Sequence, residues 1–161
     1  MLSQTVEYAL RAVVALANEN GRPMVTANLA KITDVPMGYL YKVLQQLGRS
    51  DLVVSQRGSK GGFTLHKKPE DITLLEVINA VDPFKRLHRC PMDQIQEVDV
   101  LCPLHHRLDE AMGALQEAFA TTTIDELLCD PERPYPLCMA QHDESDESEA
   151  PEAGEAGGAG T

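Results

Sequence analysis

The sequence contains no tryptophan, only three phenylalanines and four tyrosines in 161 residues. Its core must therefore be assembled from Leu, Val, Ile, Ala and Met. No apolar run approaches the roughly 20 residues that cross a bilayer, so no membrane association is expected. The N-terminus lacks the charged-then-apolar pattern of an export signal, and a cytoplasmic location is expected. There are only four cysteines. In a reducing compartment such thiols more often bind metal, act in catalysis or sense redox state than form structural disulfides. The sequence has no C-x-x-C pair, no glycine-rich nucleotide loop and no nucleophile–base–acid set, so an enzyme is not expected.

Acid is plentiful but unevenly placed. The formal charge is −11, which taken alone argues against nucleic acid. Residues 1–68, however, carry nine Lys and Arg against four Asp and Glu, a local charge of +5. Residues 69–141 carry five against fourteen, for −9, and residues 142–161 carry seven acids and no base, for −7. A basic N-terminal half on an acidic chain is the footprint of a DNA reader with a separate regulatory half.

Periodicity divides the chain further. Val6, Leu10, Val13, Val14 and Ala17 fall on one face of a helix over 3–19, stopped by Gly21-Arg22-Pro23. Thr26 is a candidate N-cap for a short helix over 27–33 that packs through Leu29 and Ile32. After the turn at Asp34-Val35-Pro36, a helix over 37–49 has Leu40, Val43, Leu44 and Leu47 as its buried stripe. Leu52–Ser55 and Phe63–His66 read as short strands joined by a glycine-rich basic link, a hairpin. Three helices followed by such a hairpin predict a winged helix-turn-helix, mainly α with a small β wing.

Thr73 is a plausible cap for the next helix, which carries Leu74, Leu75, Ile78 and Val81 at helical spacing. A long helix is expected after Cys102, with Pro103 in the favoured first position. Its apolar face is Leu104, Leu108, Ala111, Met112, Leu115 and Phe119, longer than a small winged-helix body needs, so it is expected to pair in a homodimer. Thr123 to Glu126 has the pattern of a capping box for a final short helix. The expected organisation is a DNA-binding domain over 1–82, a cysteine-bearing sensor loop over 83–102, a dimerisation region over 103–141 and a disordered acidic tail over 142–161.

In a helix-turn-helix the second helix of the motif enters the major groove. On that helix Gln45 and Arg49 are placed to read base edges, and Tyr39 and Lys42 to do the same or bind phosphate. Arg57, Ser59, Lys60 and Gly61 of the wing, with Thr26, complete the expected contacts to double-stranded DNA.

The stretches VEYALRAVVALA, GYLYKVLQQLGRSDLVVSQRGSKGGFTL and ITLLEVINAVD resemble the Rrf family of winged-helix regulators, of the IscR and NsrR type, over about residues 1–125. The resemblance implies a dimeric transcription regulator, often a repressor, many of whose relatives sense cluster supply, nitric oxide or redox state through an iron–sulfur cluster. Others act without a cluster, through partner proteins. Cluster-bearing relatives place three cysteines in the loop before the dimer helix. Here Cys90 and Cys102 take the first and third places, and Gln96, a poor iron ligand, takes the middle one.

Other features of the residues point to a site. Cys102 lies near a helix N-terminus, which favours thiolate, and His105 is one turn further along the same side. Two thiolates and an imidazole suit a [2Fe–2S] centre or zinc. In some relatives an acidic residue from the partner's first helix completes the set, and Glu7 is the matching position. Arg11 stands where one type of relative has a histidine ligand, and arginine cannot ligate. The expected metal set is therefore Cys90, Cys102, His105 and Glu7, with zinc, a redox thiol pair or a metal-free regulator as open alternatives. Cys129 and Cys138 lie outside the family pattern.

Overall fold

The first helix, α1 (Gln4–Asn18), is the hub. Ser3 caps it by accepting a hydrogen bond from the Val6 amide, and Val6, Ala9, Ala12, Val13, Ala15 and Leu16 are buried. The alanines let neighbouring helices approach closely, and α1 touches most other elements of a computed structural model that describes residues 2–58, 61–90, 101–134 and 136–138.

The helix-turn-helix follows as α2 (Thr26–Thr33) and α3 (Met37–Arg49). Two expectations for α2 are corrected. Val25 stands at its N-cap without a side-chain bond and Thr26 is the first helical residue. The buried partner of Leu29 is Thr33, whose hydroxyl bonds the Leu29 carbonyl at 2.6 Å, whereas Ile32 is 39% exposed. The helix ends at Asp34 in the left-handed region, φ 52°, a conformation aspartate tolerates better than most residues. Pro36 at the start of α3 provides no amide where none is needed. The stripe Leu40, Val43, Leu44 and Leu47 is fully buried, each side chain contributing about 2 kcal/mol of transfer free energy.

The wing is an antiparallel pair, β1 (Val53–Gln56) and β2 (Gly62–Leu65), with Val53 opposite Leu65 and Gln56 opposite Gly62. Each strand is offset by one residue from its expected bounds. Met24, in the link between α1 and α2, exchanges both backbone hydrogen bonds with Phe63 at 3.0 and 2.8 Å. That pairing fixes the wing to the body and requires glycine beside it: a Cβ on Gly62 would stand 2.5 Å from the Met24 carbonyl oxygen.

Beyond the wing, α4 (Leu74–Val81) and α6 (Ile124–Leu128) both begin with a reciprocal capping box, Thr73 with Glu76 and Thr123 with Glu126. The segments ahead of the two helices pair with each other. The Leu74 amide donates to the Thr122 carbonyl and the Ile124 amide to the Ile72 carbonyl, at 3.0 and 2.9 Å. The long helix between them, α5 (Pro103–Thr121), packs on α4 and has no fully buried residue. Its expected apolar face divides in two. Phe119 turns inward against Phe84, ring centroids 6.3 Å apart, and Met112 is half-buried. Leu104, Leu108 and Leu115 point outward, 65, 46 and 52% exposed. The expected tail, 142–161, lies outside the described residues, as does Gln96.

Candidate metal centre and nucleic-acid interface

Cys102 is the N-cap residue of α5, and Pro103 is its first helical residue. His105 follows one turn on, and Cys90 reaches the same point from the segment after α4. The Sγ of Cys90 is 3.9 Å from that of Cys102, and His105 Nδ1 lies 3.2 Å from Cys90 Sγ and 3.1 Å from Cys102 Sγ. All three side chains are half-buried, and among the described residues they are the one group of His, Cys, Asp or Glu close enough to share a metal ion. The first-turn amide of His105, and then its ring, lower the Cys102 thiol from 9.0 to about 7. The site thus offers thiolate near neutral pH, the form that binds metal and attacks disulfides.

Three anchors deliver Cys90. The Phe84 amide donates to Asn79 Oδ1 at 2.9 Å. Arg86 forks onto Asp109 of α5, Nε to Oδ1 at 2.7 Å and Nη2 to Oδ2 at 2.6 Å, and the Leu87 amide adds a third bond to Oδ1 at 2.9 Å. Arg86 holds the Asp109 carboxyl down to about 2. One turn further along α5, a Cβ on Gly113 would lie 2.8 Å from Arg86 Nη1 and 3.0 Å from its Cζ. The bare backbone of Gly113 is what lets the guanidinium lie against the helix. The sequence reading missed Arg86, Asp109 and Gly113, because a pair 23 residues apart leaves no local spacing to read.

Glu7 is not in the triangle. It pairs with Arg11 at 3.0 Å, and Arg11 also donates to the Thr33 carbonyl at 3.3 Å. His106 points toward Glu110, 3.5 Å away, and is exposed. The exposed Cys129 thiol stands 3.8 Å from Asp125 Oδ2, on α6.

The other expected surface lies on α3 and the wing. Tyr39, Lys42, Gln45 and Arg49 are all exposed on the face of α3 opposite its buried stripe. Tyr39 is not a free side chain: its ring meets Tyr8 edge-on at 6.1 Å, and Lys42 Nζ sits 5.6 Å over it. Such stacking pre-positions the ammonium at modest energetic gain. Tyr41, Lys42 and Gln45 line a shallow cleft with Ser55 and Phe63 of the hairpin, so α3 and the wing share one surface. Tyr41, 54% exposed, was not among the expected contacts. Its place four residues before Gln45, on the same side of the helix, was the available signal. Arg57 is exposed, Thr26 and Gly61 are half-buried, and Ser59 and Lys60 lie outside the described residues.

Residues 2–130 match the family model Rrf2, described as iron-dependent transcriptional regulator. The chain is 32% identical over 131 residues to an HTH-type transcriptional regulator of Aquifex aeolicus, covering 80% of this chain and 91% of that one. It is 28% identical over 136 residues to the HTH-type transcriptional regulator NsrR of Bacillus licheniformis, covering 81% and 94%. Among solved structures, IscR of T. potens superposes with a TM-score of 0.65 at 20% identity, over 80% of this chain and 85% of the other.

Proposed function

The chain belongs to the Rrf2 family of transcriptional regulators, and from that premise we propose that it is a homodimeric repressor whose hold on DNA is set by the state of the Cys90–Cys102–His105 centre. The family and these relatives are DNA-binding transcriptional regulators, not enzymes. In the proposed complex α3 reads the major groove through Gln45 and Arg49, Lys42 and Arg57 neutralise phosphate, and Thr26, Tyr39, Ser59, Lys60 and Gly61 line the rest of the contact. The outward leucines of α5 pair the two copies.

One observation carries the regulatory part. The donor triangle joins the segment after α4 to the first turn of α5, the helix on which Leu104, Leu108 and Leu115 are exposed. Closing the triangle fixes that segment to the dimer helix, and opening it frees Cys90 from Cys102 and His105. A signal shifts DNA affinity only by as much as it distinguishes these two states. A tenfold change requires about 1.4 kcal/mol.

An iron–sulfur cluster, [2Fe–2S] above all, is the group the family resemblance implies for this site. The donor types fit, since thiolate and imidazole both ligate iron. The spacing does not. Each iron of a [2Fe–2S] centre takes two protein ligands, and each iron of a [4Fe–4S] centre takes one. Three donors cannot then share one iron, and at least one of them must stand across the cluster from another. Here all three separations are 3.9 Å or less. A cluster would need a further ligand, and Glu7 from a second copy of the chain is the residue that the family resemblance suggests for it.

A second reading rests on the 3.9 Å between the two sulfurs. A disulfide needs about 2.05 Å, so a small closure joins them when a peroxide-class oxidant removes two electrons. The test of the switch is DNA affinity, by fluorescence anisotropy on operators selected from random sequence. Metal-loaded, chelator-stripped and peroxide-treated protein are compared. A change of tenfold or more between states is expected, and equal affinity in all three overturns the switch.

A further inference from the structure

We propose that Cys90, Cys102 and His105 close on a single four-coordinate divalent ion, zinc by donor type, with the fourth vertex left for an external ligand. This deepens the regulatory reading given above by naming the metal class of that same site.

The geometry of the triangle carries the inference. Zinc–sulfur bonds of about 2.3 Å and zinc–nitrogen bonds of about 2.0–2.1 Å at tetrahedral angles give donor–donor edges of roughly 3.5–3.8 Å. The edges here are 3.9 Å between the sulfurs and 3.2 and 3.1 Å from sulfur to nitrogen. Each needs an adjustment of less than about 0.5 Å to become one face of such a tetrahedron. No donor has to leave the group, as one must for a cluster. The chemistry agrees: two thiolates with one imidazole are the borderline-soft set that selects zinc over magnesium or calcium. Placement agrees as well. Two donors sit one turn apart at the head of a regular helix, and the third is delivered by the Arg86–Asp109 fork, so all three approach on supported backbone.

Three protein ligands and an open position distinguish this arrangement from a closed structural zinc site. The open vertex is where a small thiol, water or a carboxylate from a second copy would bind, and exchange at it changes the charge and bulk of the centre without dismantling it.

Cobalt(II) is the probe. The full-length protein is stripped with chelator under anaerobic, reducing conditions and titrated with the metal alone. One cobalt per chain is expected, with the intense visible d–d bands of tetrahedral coordination and sulfur-to-cobalt charge transfer. Equimolar zinc should bleach both. Cys90→Ala and His105→Ala should each abolish the tetrahedral spectrum while Cys129→Ala retains it, with circular dichroism confirming that every variant is folded. Protein purified anaerobically should contain zinc near one per chain and no acid-labile sulfide. Iron matched by sulfide, weak octahedral cobalt bands, or a spectrum indifferent to Cys90 overturns the assignment. These measurements are made without DNA. A single tightly held ion that leaves DNA affinity unchanged would overturn the switch alone, and matched iron and sulfide with a DNA response would overturn the ion alone.

Discussion

Arg86 and Asp109, 23 residues apart, meet through a two-pronged ion pair of 2.7 and 2.6 Å, and the same carboxylate receives the Leu87 amide. Together these bonds fix the path of the chain at Arg86 and Leu87, four and three residues before Cys90. Asp109→Asn keeps the shape and removes the charge. It should weaken metal binding by about tenfold, the lower end of what supporting partners of a metal site usually cost, with helix content unchanged. Competition against a chromogenic chelator measures this, and wild-type affinity would mean that Cys90 is positioned by other contacts.

The same carboxyl predicts a pH dependence. Its pKa falls from 3.8 to about 2 because of Arg86. A depressed carboxylate stabilises the fold fully above its unfolded value and loses that contribution as pH drops toward the folded one. The difference in Tm between wild type and Asp109→Asn should therefore be constant above about pH 5 and shrink between about pH 4 and pH 2. A difference that ignores pH would contradict the pairing.

Gly113→Ala tests the fork from the other side. The added methyl competes for the space of the Arg86 guanidinium. Alanine normally favours a helix interior by about 1 kcal/mol over glycine, so α5 itself should gain. If the guanidinium is displaced, metal affinity falls while thermal stability holds or rises. Both quantities rising together would mean the arginine shifts without consequence.

The leucine stripe makes a separate prediction. Leu104→Glu with Leu115→Glu places charge on two outward positions and should convert a dimer to a folded monomer. Light scattering after size exclusion reads the mass. A dimer that survives both changes pairs through some other surface.

On the DNA side, Lys42→Ala and Arg57→Ala should each weaken binding for every sequence and reduce the slope of log affinity against log salt by about one. Arg49→Ala should relax preference at one base pair, by about 1–3 kcal/mol. Unchanged binding in all three would move the interface elsewhere.

The elements written in the sequence are those whose signal is local. The α3 stripe, the Thr73 cap, the Thr123–Glu126 capping box and Cys102-Pro103 at the head of α5 are each contained within a few turns of chain. The helix α2 was less legible because eight residues make barely two turns, too short for periodicity to separate Thr33 from Ile32. Along α5 the apolar positions were visible, but their division into inward Phe119 and outward Leu104, Leu108 and Leu115 depends on α4, which covers only part of the helix. Within the triangle, Cys102 and His105 were legible from their spacing of one helical turn, whereas Cys90 entered through the resemblance to the cysteine pattern of the family. The fork that presents Cys90 was not, since its meaning arises only when distant segments touch.

The backbone pairing of Leu74 with Thr122 and of Ile72 with Ile124 gives α5 a fulcrum. The helix is nineteen residues long, about 28 Å, pinned to the winged body at one extremity and loaded by the thiols at the other. A rotation of 10° about the pinned end carries Cys102 through about 5 Å at that length. Read in the opposite direction, a movement of about 1 Å at Cys102 turns so long an arm by only about 2°, so in the proposed dimer the closed triangle would hold the angle between the two arms within narrow bounds.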